Sequence, residues 1–340
     1  MNGNQKGNAR DTALEVLMSI SAANAWSDGS LKRTIAKNGL DSRDAALTTR
    51  IAYGVIQNRM YLDYYISLWC TQKASRLEPL VLNILRIGAY QILFMDKIPH
   101  RAAVNEAVEM VKRHGRPRAA GMVNAVLRKF VTNWLDMPEL PKGSTADYLS
   151  LRYSHPKWLV SRLIDILGAE EAEQYLRCNN DIVPTTIQTN TLKITPEALE
   201  KELRAVGVCV APHPWMPGCF EVSGTGDLEG LSAFRDGLFT VQDAAARLVA
   251  TVAAPRETDR VLDVCAAPGG KSFALAIDMH DRGDILSCDV HGGKLPQIEL
   301  AAERLGVSIV KTMENDATVF RPEWENAFDT VLTDAPCSGL

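Results

Sequence analysis

Val261-Leu-Asp-Val-Cys-Ala-Ala-Pro-Gly-Gly-Lys-Ser272 is the stretch that decides the fold of this 340-residue chain. An apolar strand runs into a tight turn at Gly269 and Gly270, and a helix follows. In a doubly wound sheet, ligands bind outside the carboxyl ends of the strands, where glycine lets the backbone come close to them. Two phosphate loops are excluded. A Walker A loop needs a glycine five residues before Gly270, where Cys265 stands, and no G-x-G-x-x-G accompanies the strand. The turn fits a nucleoside with a small charged tail better than a polyphosphate.

Around this stretch, strand and helix alternate. Phe239–Val241, Ala244–Val252, Val261–Val264, Phe273–Met279 and Ile285–Asp289 predict a parallel, doubly wound core over residues 234–340. Asp289 ends the next strand, 18 residues after Lys271, where a carboxylate can accept both ribose hydroxyl protons. Asp316 follows a third strand-like run, Val307–Lys311, and is placed to meet a nucleobase. A fourth run, Phe328–Thr333, delivers Asp334-Ala-Pro-Cys-Ser-Gly339, which brings the Asp334 carboxylate and the Cys337 thiol to the same edge.

Upstream, residues 184–233 read as a small α+β subdomain, with strands at Thr185–Asn190, Val208–Val210 and Phe220–Val222 and a helix at Pro196–Val206. Residues 136–183 read as a linker and a helical segment containing Pro156–Leu167 and Glu170–Arg177; the linker stretch spans 131–150. Residues 1–135 read as helix throughout. Asp41 is an N-cap with Asp44 in the first turn, and Pro79 opens Leu80–Met95, apolar on nearly every side and so the expected centre of a bundle. Val104, Ala107, Val108 and Val111 form a stripe closed by Gly115, and Met122, Val123, Val126, Leu127 and Phe130 form the next. The expected protein is multidomain: an all-α bundle, a small α+β subdomain and a partial, Rossmann-like α/β core.

Charge divides the same way. Residues 1–135 carry 19 Lys/Arg and 10 Asp/Glu, a balance of +9, whereas residues 136–340 carry 18 and 31, a balance of -13. Lys112, Arg113, His114, Arg116, Arg118, Arg128 and Lys129 cluster around one helix connection, a pattern suited to gripping the phosphates of RNA. The seven cysteines include no C-x-x-C pair, so reduced thiols are expected, with neither a disulfide framework nor a metal site. No apolar run has the length of a membrane span and the first residues are not a secretory signal, so a cytoplasmic protein is expected.

Cys265–Lys271 together with Asp334-Ala-Pro-Cys-Ser-Gly339 resembles the Sun/Fmu group of RNA 5-methylcytosine methyltransferases. Asn105-Glu-Ala-Val108, Gly121-Met-Val-Asn-Ala-Val-Leu-Arg128, Tyr153-Ser-His-Pro-Lys-Trp158 and Thr240-Val-Gln-Asp243 are similar to that group as well, and the helical module resembles the antitermination factor NusB, an RNA-binding bundle. The resemblance covers essentially the whole chain. It implies that Cys265, Ala266, Ala267, Pro268, Gly269, Gly270 and Lys271 line an S-adenosylmethionine site. It further implies that Asp289 and Asp316 hold the ribose and adenine ends, and that Asp334 sits beside the methyl donor and the target base. Small-subunit ribosomal RNA is the implied partner.

Cytosine C5 is a poor nucleophile, and a thiolate adding to C6 makes it enamine-like. In the resembled group that thiolate comes from a later cysteine, while the one at Cys337 assists product release. The sequence stops at Leu340, after four of the seven strands of that group's sheet, so a fragment without the nucleophile is expected. The competing reading is an RNA-binding, antitermination-like assembly module with an inert methyltransferase remnant. Its RNA affinity would be indifferent to changes at Gly270 or Asp289.

Overall fold

The computed structural model describes residues 8–23, 28–141, 143–181, 183–224 and 228–335. The chain divides into two compact units, Met1–Ile182 and Val183–Leu340.

Among the described residues, the first unit opens with seven α-helices: α1 (Ala9–Ala23), α2 (Asp28–Lys37), α3 (Ser42–Gln57), α4 (Arg59–Trp69), α5 (Pro79–Phe94), α6 (His100–Arg113) and α7 (Ala120–Asn133). The Asp41 carboxylate accepts from the Asp44 amide at the start of α3, and Pro79 opens α5. Apolar on nearly all sides, α5 lies at the centre, packed by α1, α3, α4, α6 and α7. Ile84, Leu85 and Ile87 are wholly buried there, and truncating one such side chain to alanine costs about 2–5 kcal/mol. Gly54 lets α3 approach α5: a Cβ there would lie 1.9 Å from the Tyr90 ring.

Three more α-helices follow among the described residues of this unit: α8 (Thr145–Tyr153), α9 (Lys157–Leu167) and α10 (Ala169–Asn179). They close on Leu149, Val160 and Leu176. Helix α8 begins inside the stretch expected to be linker. Ser144, a residue type common to turns and helix starts, is its N-cap and accepts from the Asp147 amide.

Among its described residues, the second unit holds two sheets. The first contains β1 (Thr185–Thr189), β2 (Cys209–Pro212), β3 (Cys219–Ser223) and β4 (Phe239–Val241), with α11 (Pro196–Ala205) and the short α12 (Ser232–Arg235) between them in sequence. Its order is β2-β3-β1-β4, every pairing antiparallel, over a core that includes Ile187, Leu199, Phe220 and Phe239. This corrects the sequence expectation that places Phe239–Val241 in the parallel core: β4 pairs antiparallel with β1, Ile187 facing Val241. A three-residue strand has no pattern that names its partner.

The second sheet contains β5 (Arg260–Asp263), β6 (Asp284–Asp289), β7 (Val310–Glu314) and β8 (Thr330–Leu332), in the order β7-β6-β5-β8 and parallel throughout. Helix α13 (Ala244–Ala253) leads into it, α14 (Gly270–Asp278) joins β5 to β6, and α15 (Leu295–Leu305) joins β6 to β7. The third strand lies later than the expected Val307–Lys311. Val307 and Ile309 are buried in the connection that precedes it, and apolarity alone does not separate a buried connection from a strand. The order reverses at β5, which has β6 on one side and β8 on the other. Such a reversal opens a crevice beyond the carboxyl ends of the strands.

Among the described residues, no helix is long and apolar enough to cross a membrane, and no group of three or more His, Cys, Asp and Glu could hold a metal ion.

Candidate functional site

The carboxyl end of β5 feeds a turn that two backbone bonds fasten to its neighbours. The Val264 amide donates to Leu332 O of β8 (3.1 Å), and the Ala266 amide donates to Cys288 O of β6 (2.7 Å). The turn then folds on itself, Gly269 N donating to Ala266 O at 2.6 Å, with a cis bond between Ala267 and Pro268. Gly269 has φ +100, and a Cβ there would meet the Phe273 ring at 2.6 Å and Ile298 at 3.2 Å. Glycine is therefore required both by backbone sterics and by the close approach of α14. Gly270 begins α14, whose start no side chain caps.

Beneath the turn lies a buried polar row. Asp263 is 1% exposed, and its Oδ2 accepts from Ser272 Oγ at 2.7 Å. Ser287 Oγ of β6 donates to Ser272 Oγ at 2.8 Å. The other carboxylate oxygen, Oδ1, makes no hydrogen bond of ordinary geometry among the described residues, although the Cys265 amide is close enough to the carboxylate to favour its charged form. Burial raises the Asp263 carboxyl to about 6, well above the ordinary aspartate value. Gln242, just past β4, is also buried, and neither end of its amide finds a partner among the described residues; its Nε2 would be 3.5 Å from a Cβ on Gly270. Buried polar atoms are rarely left unbonded, so both groups stand out among the residues around the turn.

The structure brings most of the sequence-predicted residues to this edge. Cys265 through Lys271 form the turn and the start of α14. Lys271 Nζ lies 2.5 Å from Asp334 Oδ2, beyond the end of β8. Asp289 ends β6, buried, with Oδ1 accepting from the His291 amide at 2.9 Å and lying 3.6 Å from Lys294 Nζ. Asp316 follows β7 and is exposed. Its carboxylate already accepts from the Thr318 hydroxyl and amide, which hold it below the usual carboxylate range. Cys337 lies outside the described residues. Burial, then the carboxylates of Asp289, Asp263 and Asp334, push the Cys265 thiol up, and burial pushes Cys288 up to about 11. Neither is a ready thiolate.

Sequence reasoning missed Asp263, Ser272, Ser287, Gln242 and Lys294. Asp263 and Ser272 stood inside the quoted stretch, and Gln242 inside the Thr240–Asp243 motif. Ser287 and Lys294 carried no local signal, because only strand pairing and the fold of the β6–α15 connection bring them in.

In the first unit, the expected RNA cluster is only partly available. Arg113 bridges Asp11 and Glu106, Lys112 pairs with Glu109, Arg116 pairs with Glu78, and His114 Nε2 lies 2.9 Å from Asp11. Among the described residues, Arg118, Arg128 and Lys129 have no carboxylate partner.

Comparison with known proteins places these features. Residues 7–132 match the NusB family, residues 155–229 the ferredoxin-like domain of RsmF/B-like methyltransferases, and residues 250–340 the family described as 16S rRNA methyltransferase RsmB/F. The chain is 35% identical over 337 residues to the probable ribosomal RNA small subunit methyltransferase B of Bacillus subtilis, covering 99% of this chain and 75% of that protein. It is 30% identical over 341 residues to the Synechocystis protein of the same description, covering 98% and 75%. Among solved structures, "Crystal Structure of PH0851" has a TM-score of 0.74 at 26% identity, covering 96% of this chain and 74% of that one. A methyltransferase homolog protein from Pyrococcus horikoshii has a TM-score of 0.52 at 29% identity, covering 58% and 65%.

Proposed function

From the membership of this chain in the 16S rRNA methyltransferase RsmB/F family, joined to a NusB-like domain, we propose that it acts in the S-adenosylmethionine-dependent methylation of cytosine C5 in small-subunit ribosomal RNA. The observation that carries this reading is the glycine turn from Cys265 to Gly270 at the carboxyl end of β5, fastened to β6 and β8, with the buried Asp263 carboxyl and Gln242 amide close by. The fit with S-adenosylmethionine is chemical. A glycine-lined turn admits the nucleoside, the buried oxygens accept from an ammonium group, and Asp289 at the end of β6 accepts from ribose hydroxyls. Asp316, its carboxylate tied to Thr318, is assigned to the adenine end.

When bound, the cofactor supplies the sulfonium methyl group as electrophile. The protein's part is to hold and polarise the base. Asp334, kept in place by Lys271, accepts or donates at the N3 edge of cytosine and stabilises the ring once C6 has been attacked. The attack requires a thiolate, which makes C5 nucleophilic; after transfer, the C5 proton leaves and the thiolate is expelled. Cys265 and Cys288, both pushed up by burial, are unsuited to that step. In the resembled group a cysteine of a later motif makes that attack, and Cys337 is assigned to product release. Arg118, Arg128 and Lys129 are assigned to RNA phosphates, with Lys112, Arg113 and Arg116 contributing less because each is engaged by a carboxylate.

The test is calorimetric titration of S-adenosylmethionine into the chain, beside Gly270→Asp. Saturable binding that the variant loses is the expected result. Binding that survives a carboxylate placed at Gly270 would sink the site.

A further inference from the structure

A second cleft, in the first unit, carries cations that form no ion pair among the described residues. Its volume is about 310 Å³, and its walls include Arg50, Tyr61, Phe94, Arg152, Arg177 and Asn180. That size is at the lower end of ligand-sized clefts. The wall is built from both helical groups of the unit. Arg50 lies on α3, Tyr61 on α4 and Phe94 at the end of α5. The opposite side comes from α8, α10 and the Tyr153–Trp158 motif, whose role the family reading leaves unassigned. The Tyr61 amide donates to Ser154 Oγ at 3.0 Å, Asn180 Nδ2 donates to Tyr153 O at 2.8 Å, and Asn179 Nδ2 lies 2.8 Å from His155 Nε2.

Three guanidinium groups border this cleft, and among the described residues none of them meets a carboxylate. Arg50 Nη2 donates only to the Phe94 carbonyl at 3.3 Å. Arg152 lies over the Tyr61 ring, 5.8 Å from its centroid. The Arg177 guanidinium, in the last turn of α10, has no hydrogen bond or ion pair among the described residues. Asp181 is the one carboxylate in the lining. The contrast with the Lys112–Arg116 segment is plain, since Lys112, Arg113 and Arg116 are each engaged by Glu or Asp there. With three arginines and the one carboxylate of Asp181 in its lining, the cleft keeps an excess of positive charge that an anion would offset, and guanidinium forks match phosphate oxygens. Phe94, 36% exposed and stacked on Tyr90 with ring centroids 5.3 Å apart, offers a held aromatic edge beside them. The amides of Gln57, Asn58 and Asn180 add polar groups to the same wall.

We infer that this cleft binds a phosphodiester of single-stranded RNA, with the arginines on the phosphate and the adjoining nucleoside against Phe94. Paired guanidinium and aromatic groups of this kind hold single strands with little sequence preference. The inference takes its class of ligand from the proposed RNA methyltransferase function, but its residues are separate from the cofactor turn and from the Lys112–Lys129 cluster.

The experiment measures binding of a labelled single-stranded RNA to the full chain by fluorescence anisotropy over a salt series. The variant is Arg50→Gln/Arg152→Gln/Arg177→Gln, and the control removes three exposed cations elsewhere, Lys201→Gln/Arg235→Gln/Arg256→Gln. The expected result is an affinity loss of about tenfold or more in the cleft variant, with a salt slope shallower by about 2. The control should change affinity no more than about twofold. S-adenosylmethionine binding should be equal in all three chains. Should the triple variant fail to melt cooperatively, Arg177→Gln alone is decisive, because its guanidinium supports no other contact, and it should weaken binding about threefold. Equal affinity in parent and cleft variant, or equal losses in variant and control, would overturn the cleft and leave the methyltransferase reading standing. A parent chain that binds S-adenosylmethionine but no RNA at low salt would overturn the cleft and the RNA substrate together.

Discussion

Lys271 Nζ lies 2.5 Å from Asp334 Oδ2, which ties the first turn of α14 to the segment beyond β8 across the point where the strand order reverses. Lys271 is four-fifths buried on its side chain, whereas Asp334 is 59% exposed. The pair is therefore of little weight in stability, up to about 1 kcal/mol for an exposed ion pair. Its consequence lies in position. Lys271→Met and Asp334→Asn should each weaken S-adenosylmethionine binding about tenfold, and the double variant should be no worse than the weaker single. Calorimetry on the four chains tests the coupling; additive losses would show that the two residues act separately.

Asp263 predicts a pH effect of definite sign. Its carboxyl is raised by burial to about 6, against 3.8 for an unperturbed aspartate. The native chain therefore holds the proton more tightly than the unfolded chain. The corresponding stability is fully present below about pH 4 and is lost as pH rises through about 6. Asp263→Asn lacks this loss, so in the absence of ligand it should melt above the parent at pH 7.5, by an amount worth about 2–3 kcal/mol. The advantage should shrink toward zero by pH 4. Melting curves across that range check it, and an advantage independent of pH would mean that the carboxyl is not neutralised by burial.

Gly269→Ala should damage the turn itself. The φ of +100 is unfavourable for any side chain, and the added methyl group would stand 2.6 Å from the Phe273 ring. A destabilisation of about 2 kcal/mol or more is expected, together with loss of measurable cofactor binding. Gly270→Ala is the contrast. The nearest atom to its Cβ is Gln242 Nε2 at 3.5 Å, an ordinary contact, so unfolding temperature should stay close to that of the parent. Equal melting of the two variants would contradict the geometry.

Arg113 should matter to folding more than to RNA. It joins Asp11 on α1 and Glu106 on α6 at 2.9 and 2.8 Å. Arg113→Gln should lower stability by about 1 kcal/mol and change RNA affinity about twofold. Arg118→Gln/Arg128→Gln/Lys129→Gln should leave stability within about 0.5 kcal/mol and reduce the salt slope of RNA binding by about 2. Melting curves and anisotropy titrations separate the two cases, and the reverse ranking would overturn the assignment of phosphate contacts.

The sequence by itself determined most element types and the place of the glycine turn after β5. Apolar periodicity is written locally: α5 is apolar on nearly every side and became the centre of its bundle, and Val261–Val264 followed by glycines became β5 and its turn. Asp41 and Pro79 act as helix starts through contacts with their immediate neighbours, so they too were legible. Only the tertiary structure decided that β4 joins the antiparallel sheet, that Lys112, Arg113 and Arg116 are engaged by carboxylates, and that Ser287 reaches Ser272 beneath the turn. It also decided that Arg50, Arg152 and Arg177, distant in sequence, border one cleft. The physical reason is common to all of these. Secondary structure follows from neighbours three or four residues away, whereas strand partners, ion pairs and the burial that moves a pKa depend on which distant segments the fold brings together.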